Sequence, residues 1–138
     1  MGGYCRDWAY RGNYDKSQSI SVIMCDLNGL KKRNDMMGHE AGDQYICDAA
    51  QILCSCFEKE HVYRIGGDEF VVITLCAGME DMEERIEKLR LYTKLKEVSL
   101  SVGHAYRKEA ADLFEDIMRE ADQNMYEEKQ QYYASMQS

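Results

Sequence analysis

The chain has 138 residues, 45% of them hydrophobic and 30% charged, which fits one domain able to bury a core without disulfides or a structural metal. Lys and Arg number 17 against 25 Asp and Glu, and the net charge of −8 argues against general binding to nucleic acid or to an anionic membrane surface. There is no proline, no Gly/Ser-rich linker, no apolar run long enough to span a bilayer and no signal-peptide pattern, so a cytoplasmic domain without membrane contact is expected.

In chain order, residues 4–15 read as a short helix, with Tyr4 and Trp8 four apart on one face. Ile20 to Cys25 is a β-rich apolar run ending in Asp26, as in a buried central strand. Asn28-Gly29 begins a turn, a short helix follows to about Met37, and Gly38 and Gly42 flank the start of a longer one. Its apolar positions, among them Tyr45, Ile46, Ala49, Ile52, Leu53 and Cys56, recur at helical spacing. Residues 61–76 read as a hairpin, because Val62-Tyr63 and Val71-Val72-Ile73 flank a Gly66-Gly67 turn.

An acid-rich helix is expected at 79–96, with Met82, Ile86 and Leu89 on one face. Val98, Leu100 and Val102 alternate with Ser99 and Ser101, which predicts a strand over 98–105 with one polar face. Asp112 and Glu115 have capping-box spacing before a final helix built on Leu113, Phe114, Ile117, Met118, Ala121 and Met125. The order αβααββαβα predicts an α/β or α+β sandwich, one sheet covered by helices, with the single hairpin making that sheet mixed. The six cysteines, Cys5, Cys25, Cys47, Cys54, Cys56 and Cys76, contain no CxxC pair, and reduced thiols are expected rather than a zinc site.

The hairpin turn carries chemistry. It brings Asp68 and Glu69 to a sheet rim where no glycine side chain keeps a ligand away, although an ordinary charged turn is the competing reading. If the first strand is a neighbour, Asp26 joins them, and three mutually repelling carboxylates at a sheet edge call for a cation. Mg²⁺ suits such hard oxygen ligands and leaves room for substrate phosphates. Beside it, backbone N–H groups at the Asn28-Gly29-Leu30-Lys31 turn can hold phosphate oxygens, with Lys31 as a nearby cation.

The segment from Cys25 to Asp43, CDLNGLKKRNDMMGHEAGD, followed by RIGGDEF from Arg64 to Phe70, closely resembles the GGDEF domain family. These are diguanylate cyclases, which join two GTP molecules into cyclic di-GMP with release of pyrophosphate. The likeness runs over nearly the whole chain: Ser101-Val102-Gly103 is similar to a later strand signature, and Ala121-Asp122 with Tyr126 and Lys129 to the final-helix motif. It implies a nucleotidyl-cyclase, palm-like core of ferredoxin type.

The resemblance also implies roles. Asp26, Asp68 and Glu69 hold metal with the Leu27 carbonyl, the ion being Mg²⁺ or Mn²⁺. Asn34 and Asp43 read the guanine edge, an amide and a carboxylate being suited to its donors and acceptors. Lys31 and Lys129, with the backbone at Gly29 and Leu30, contact phosphates. Asp68 and Glu69 are the catalytic acids, with Asp68 assisting removal of the proton from a ribose 3′-hydroxyl that attacks the α-phosphorus of the other GTP. His39, Arg64, Gly66 and Gly67 support the site. One domain binds one GTP, so cyclisation requires a homodimer, and that dimer can be transient.

The chain departs from the family pattern in several places. Tyr133 stands where an arginine usually helps bind phosphate, and Tyr132 where a glycine usually precedes it. Phe57-Glu58-Lys59-Glu60 occupies the stretch of the inhibitory product site and lacks its arginine, so no product feedback is expected there. The region between Phe70 and Ser101 is short, and the Gly2 to Arg6 stretch resembles a trimmed first-helix motif. A domain separated from an upstream sensor or regulatory region is therefore expected. The alternative is a GTP-binding or protein-interaction module without cyclase activity.

Overall fold

The computed structural model describes residues 19–76, 78–109 and 114–136. The expected helix at 4–15, Cys5, Asp112 and Leu113 lie outside them. The described elements are β1 (Ser19–Leu27), α1 (Leu30–Met37), α2 (His39–Cys56), β2 (Val62–Arg64), β3 (Glu69–Cys76), α3 (Met79–Leu95), β4 (Leu100–Arg107) and α4 (Phe114–Met136). Apart from the segments outside the described residues, these are the expected elements in the expected order.

The strands form one four-stranded sheet in the order β2-β3-β1-β4, the ferredoxin-type arrangement of a split βαβ unit. The sheet with helices packed on it is as expected, but one detail differs: the three pairings, β1 with β3, β1 with β4 and β2 with β3, are all antiparallel. β1 and β2 do run in the same direction after the α1–α2 crossover. β3 inserts between them, so the parallel contact that would make the sheet mixed is not among the described pairings.

β1 lies at the centre and is buried on both faces, which is why its sequence reads as a continuous apolar run. On one face Ile23, Cys25 and Leu27 pack with Phe70, Val72 and Val102 against Tyr45, Ala49 and Leu53 of α2 and Met82 and Leu89 of α3. On the other, Ile20, Val22 and Met24 pack with Val71, Ile73 and Ala105 against Ile117, Ala121 and Met125 of α4. Full burial of each such side chain contributes about 1.5–3 kcal/mol.

Gly103 permits the closest approach in this second layer. A Cβ there would lie 2.1 Å from both the Ala121 carbonyl oxygen and the Met125 backbone nitrogen, so α4 rests directly on the β4 backbone. β4 begins two residues later than the alternation predicts. Glu97 takes a positive φ of 56° and the Val98 N–H returns to the Thr93 carbonyl, so Val98 closes the exit of α3 while its side chain stays buried.

Cys25, Cys47, Cys54 and Cys56 are free thiols, as expected. Burial, followed by the nearby Glu128 charge, pushes the Cys25 thiol up to about 12, leaving it a packing group rather than a nucleophile.

Candidate active site

The register of β1 against β3 sets Asp26 directly across from Glu69, and β4 sets Ser101 on its other side. The intervening turn is short and well tied. Ile65 N–H donates to the Glu69 carbonyl at 2.9 Å, and the Arg64 side chain donates to the Gly66 and Gly67 carbonyls at 3.1 and 2.8 Å. The Leu27 N–H reaches across to the Asp68 carbonyl at 2.7 Å. A Cβ on Gly67 would meet nothing within 4 Å, so the turn stays open to an approaching ligand.

These contacts gather Asp26, Asp68 and Glu69 so that one carboxylate oxygen of each lies within 4.8 Å of the others. The Asp26 side chain is only 5% exposed, and its Oδ2 accepts from the Lys129 ammonium at 2.5 Å. Among the described residues its other oxygen, Oδ1, is buried with no hydrogen-bond partner. Burial holds the Asp26 carboxyl above its ordinary range, against the Lys129 hydrogen bond, and the Asp68 charge raises it further. Glu69 is raised for the same leading reason, then by the charges of Asp26, Asp68 and Asp122. Lys129 is raised chiefly by its hydrogen bond to Asp26.

A buried carboxylate oxygen without a partner is costly, and two more acids beside it add repulsion. A divalent cation with a preference for oxygen ligands relieves both, so the donor set fits the implied metal.

The turn expected to hold phosphate, Asn28 to Lys31, sits at the end of the same strand. Gly29 is left-handed, with φ 75° and ψ 17°, and precedes the first residue of α1. Leu27, Gly29, Leu30, Lys31 and Asp68 line a cleft of about 470 Å³ whose far wall is Tyr132, Tyr133 and Met136. Tyr132 comes close to the turn: its hydroxyl lies 3.7 Å from where a Gly29 Cβ would be. Its ring meets Tyr133 edge-on at 5.2 Å. A larger groove of about 580 Å³ runs between α2 and α3, lined by Ile52, Tyr92 and Leu95 among others, but it holds none of the acids.

Asn34 and Asp43 lie on the paired helices α1 and α2, which Gly38 joins at φ 89°. Asn34 packs its amide on Gly42, the residue before Asp43. A Cβ on Gly42 would fall 1.6 Å from Asn34 Oδ1, which is itself buried without a partner among the described residues. Asp43 is exposed, and so is His39 at the first position of α2.

Asn28, already read as part of this turn, is held from beneath by Tyr45, Ser99 and Ser101, a network that sequence reasoning missed. Asn28 is buried: its amide donates to Ser99 Oγ at 3.0 Å, its Oδ1 accepts from Ser101 Oγ at 3.0 Å, and its carbonyl accepts from the Tyr45 hydroxyl at 2.9 Å. Tyr45 also accepts from the Ser99 N–H at 3.0 Å. This network fixes the backbone between Leu27 and Gly29. The signal was present in the serines alternating at the start of β4, but a polar strand face is ordinarily a solvated one, and Tyr45 fitted the apolar stripe of α2.

Residues 7–134 match the family model described as "Diguanylate cyclase, GGDEF domain", and the chain belongs to the GGDEF domain family. It is 36% identical over 127 residues to the cyclic di-GMP phosphodiesterase PdeR of Escherichia coli, covering 86% of this chain and 19% of that protein. It is 32% identical over 126 residues to diguanylate cyclase A of Treponema denticola, covering 84% of this chain and 34% of that one. The chain therefore spans only a fifth to a third of these relatives. Its fold matches the GGDEF domain of DgcB from Caulobacter crescentus, solved with c-di-GMP, at a TM-score of 0.79 and 21% identity over 94% of this chain and 85% of that one.

Proposed function

We propose that this domain is a diguanylate cyclase half-site, which binds one GTP and condenses it with the GTP of a second copy into cyclic di-GMP and two pyrophosphates. The observation that carries this reading is the orphaned, buried Oδ1 of Asp26, gathered with Asp68 and Glu69 beside the Gly29 turn. Asp26, Asp68, Glu69 and the Leu27 carbonyl would hold Mg²⁺, or Mn²⁺ in its place. When bound, such an ion neutralises phosphate charge and acidifies the attacking hydroxyl.

The chain's own groups supply the rest. The N–H groups at Gly29 and Leu30 and the Lys31 and Lys129 ammoniums hold the triphosphate, with the Asn28 network keeping the turn rigid. Asn34 and Asp43 select guanine, the first oriented by Gly42. The 3′-hydroxyl oxygen forms a bond to the α-phosphorus of the facing GTP, the α–β phosphoanhydride breaks, and pyrophosphate leaves. Asp68, which lines the cleft with Lys31, accepts the hydroxyl proton.

Because each copy contributes one nucleotide, the active species is a homodimer with facing clefts. The chain is a single domain, and an upstream sensor region and a cytoplasmic setting complete the proposal. No helix among the described residues is long and apolar enough to cross a membrane. Phe57-Glu58-Lys59-Glu60 leaves the domain without product feedback at that site.

A second reading, nucleotide binding without turnover, is favoured by one observation: Tyr132 and Tyr133 line the same cleft as Gly29, Lys31 and Asp68. Concentrated protein incubated with GTP and Mg²⁺, with and without a fused dimerisation segment, separates the two. Cyclic di-GMP and pyrophosphate in a 1:2 ratio are expected. GTP binding with no product even when dimerised would leave only the binding reading.

A further inference from the structure

We infer that Glu128 is a positioning residue, a latch that sets the turn of α4 from which Lys129 reaches Asp26 and Tyr132 and Tyr133 wall the cleft. As it concerns the site's own geometry, this inference rests on the cyclase reading only for its effect on GTP.

Among the described residues β4 pairs with β1 on one side and ends the sheet on the other, so no described strand receives its outward N–H groups. Glu128 Oε2 accepts the N–H of Val102. Its Oε1 accepts from Arg90 on α3 at 2.6 Å, so a single carboxylate ties α3, β4 and α4 together.

The next residue along α4 makes the other connection. Lys129 Nζ donates to Asp26 Oδ2 at 2.5 Å, and Asp26 pairs across the sheet with Ser101, the neighbour of Val102. Consecutive helix residues therefore grip consecutive strands, Glu128 the edge strand and Lys129 the central one. Successive side chains on a helix point about 100° apart and rise about 1.5 Å, so fixing Glu128 fixes the direction of Lys129. Gly103 adds the close contact with α4 at Ala121 and Met125, and Arg107 meets Glu120, the residue before Ala121, at 3.0 Å. The exposed Arg107 pair is weak, whereas a carboxylate on a backbone N–H is a charge-assisted bond.

Glu128→Ala removes the acceptor, and Glu128→Gln keeps one of nearly the same shape. In Glu128→Ala the Val102 amide exchanges with solvent faster by on the order of tenfold, with Ile23 and Val72 unchanged as controls for the fold. The side-chain ammonium resonance of Lys129, observable while Asp26 holds it, broadens. KM for GTP rises several-fold with kcat altered less than about twofold, because the phosphate contact is made alike in ground and transition states. Glu128→Gln keeps an acceptor for Val102 and gives up the Arg90 pair, so its three losses are smaller than those of Glu128→Ala.

Unchanged Val102 exchange and Lys129 resonance in Glu128→Ala would overturn the inference, as would equal losses in Glu128→Gln. Absence of GTP turnover in the parent would sink the cyclase reading while leaving the exchange and resonance measurements to decide this one.

Discussion

The two ends of β1 both bury polar side chains, and they treat them in opposite ways. At the far end, the Ser21 hydroxyl and His104 Nε2 share a hydrogen bond at 2.9 Å, and the Ser19 and Tyr106 hydroxyls share another at 2.9 Å. Burial is met there by a partner from the next strand, as in most protein interiors. At the near end, Asp26 keeps one oxygen without a partner and has Asp68 and Glu69 beside it. The same strand thus carries a settled polar cluster and an unsettled one, and the unsettled end is the one that needs a ligand.

The largest expected effect comes from removing that need. Asp26→Asn should lower cyclase turnover by roughly a thousandfold, the loss of several kcal/mol of metal-assisted charge stabilisation. Mg²⁺ should raise the melting temperature of the parent and not of this variant, as a ligand binding only the native state must. An Asp26→Asn protein that kept turnover would break the contrast between the two ends.

Gly103→Ala comes next. Its methyl would meet the α4 backbone, where neither partner is a flexible side-chain tip, and a loss of about 1–3 kcal/mol in urea unfolding is expected. That cost falls on the layer from which Lys129 reaches Asp26, so it should be accompanied by weaker GTP binding in the folded fraction.

Glu69→Gln sharpens the comparison in the other direction. The carboxyl of Glu69 is held above its ordinary range, so without metal the native state favours its protonated form and loses stability as pH rises through the window between the ordinary and the raised value. A neutral amide removes that loss. Metal-free Glu69→Gln should melt above the parent near neutral pH while losing turnover, a trade of stability against function.

The smallest effect belongs to the far end. Burial lowers the His104 imidazole, against the raising influence of Glu120. The unfolded state therefore takes up a proton first as pH falls through about 6.5, and the stability this neutral histidine contributes is present above that value and lost below it. The melting temperature of His104→Gln should fall less steeply between pH 7 and 5 than that of the parent, with turnover at pH 8 unchanged. Equal slopes would show that burial at this end carries no pH-dependent cost.

Much of this was legible in the sequence because the site is built from local motifs. Gly66-Gly67-Asp68-Glu69 lies on one turn, which spacing brought forward, whereas Asn34 and Asp43 came forward only through the resemblance to the GGDEF family. The continuous apolar run of β1 likewise announced a strand buried on both faces. What stayed hidden depends on partners distant in sequence. Asn28 acts through Ser99 and Ser101, and Glu128 through Arg90 and Val102, and no local pattern distinguishes such residues from ordinary polar ones. The antiparallel sheet was misjudged for a related reason: strand order decides which strands touch, and order is a property of the packed chain.

The account stands or falls on what the unsettled end of β1 receives. A crystal structure with Mn²⁺ and a non-cyclisable GTP analogue tests this most directly, since the ion is located by its anomalous scattering. The ion is expected at ligand distance from the free oxygen of Asp26, with Asp68 or Glu69 completing the carboxylates and the triphosphate on the Gly29 turn. An analogue bound instead in the groove between α2 and α3, with Asp26 Oδ1 still unpartnered, would contradict it.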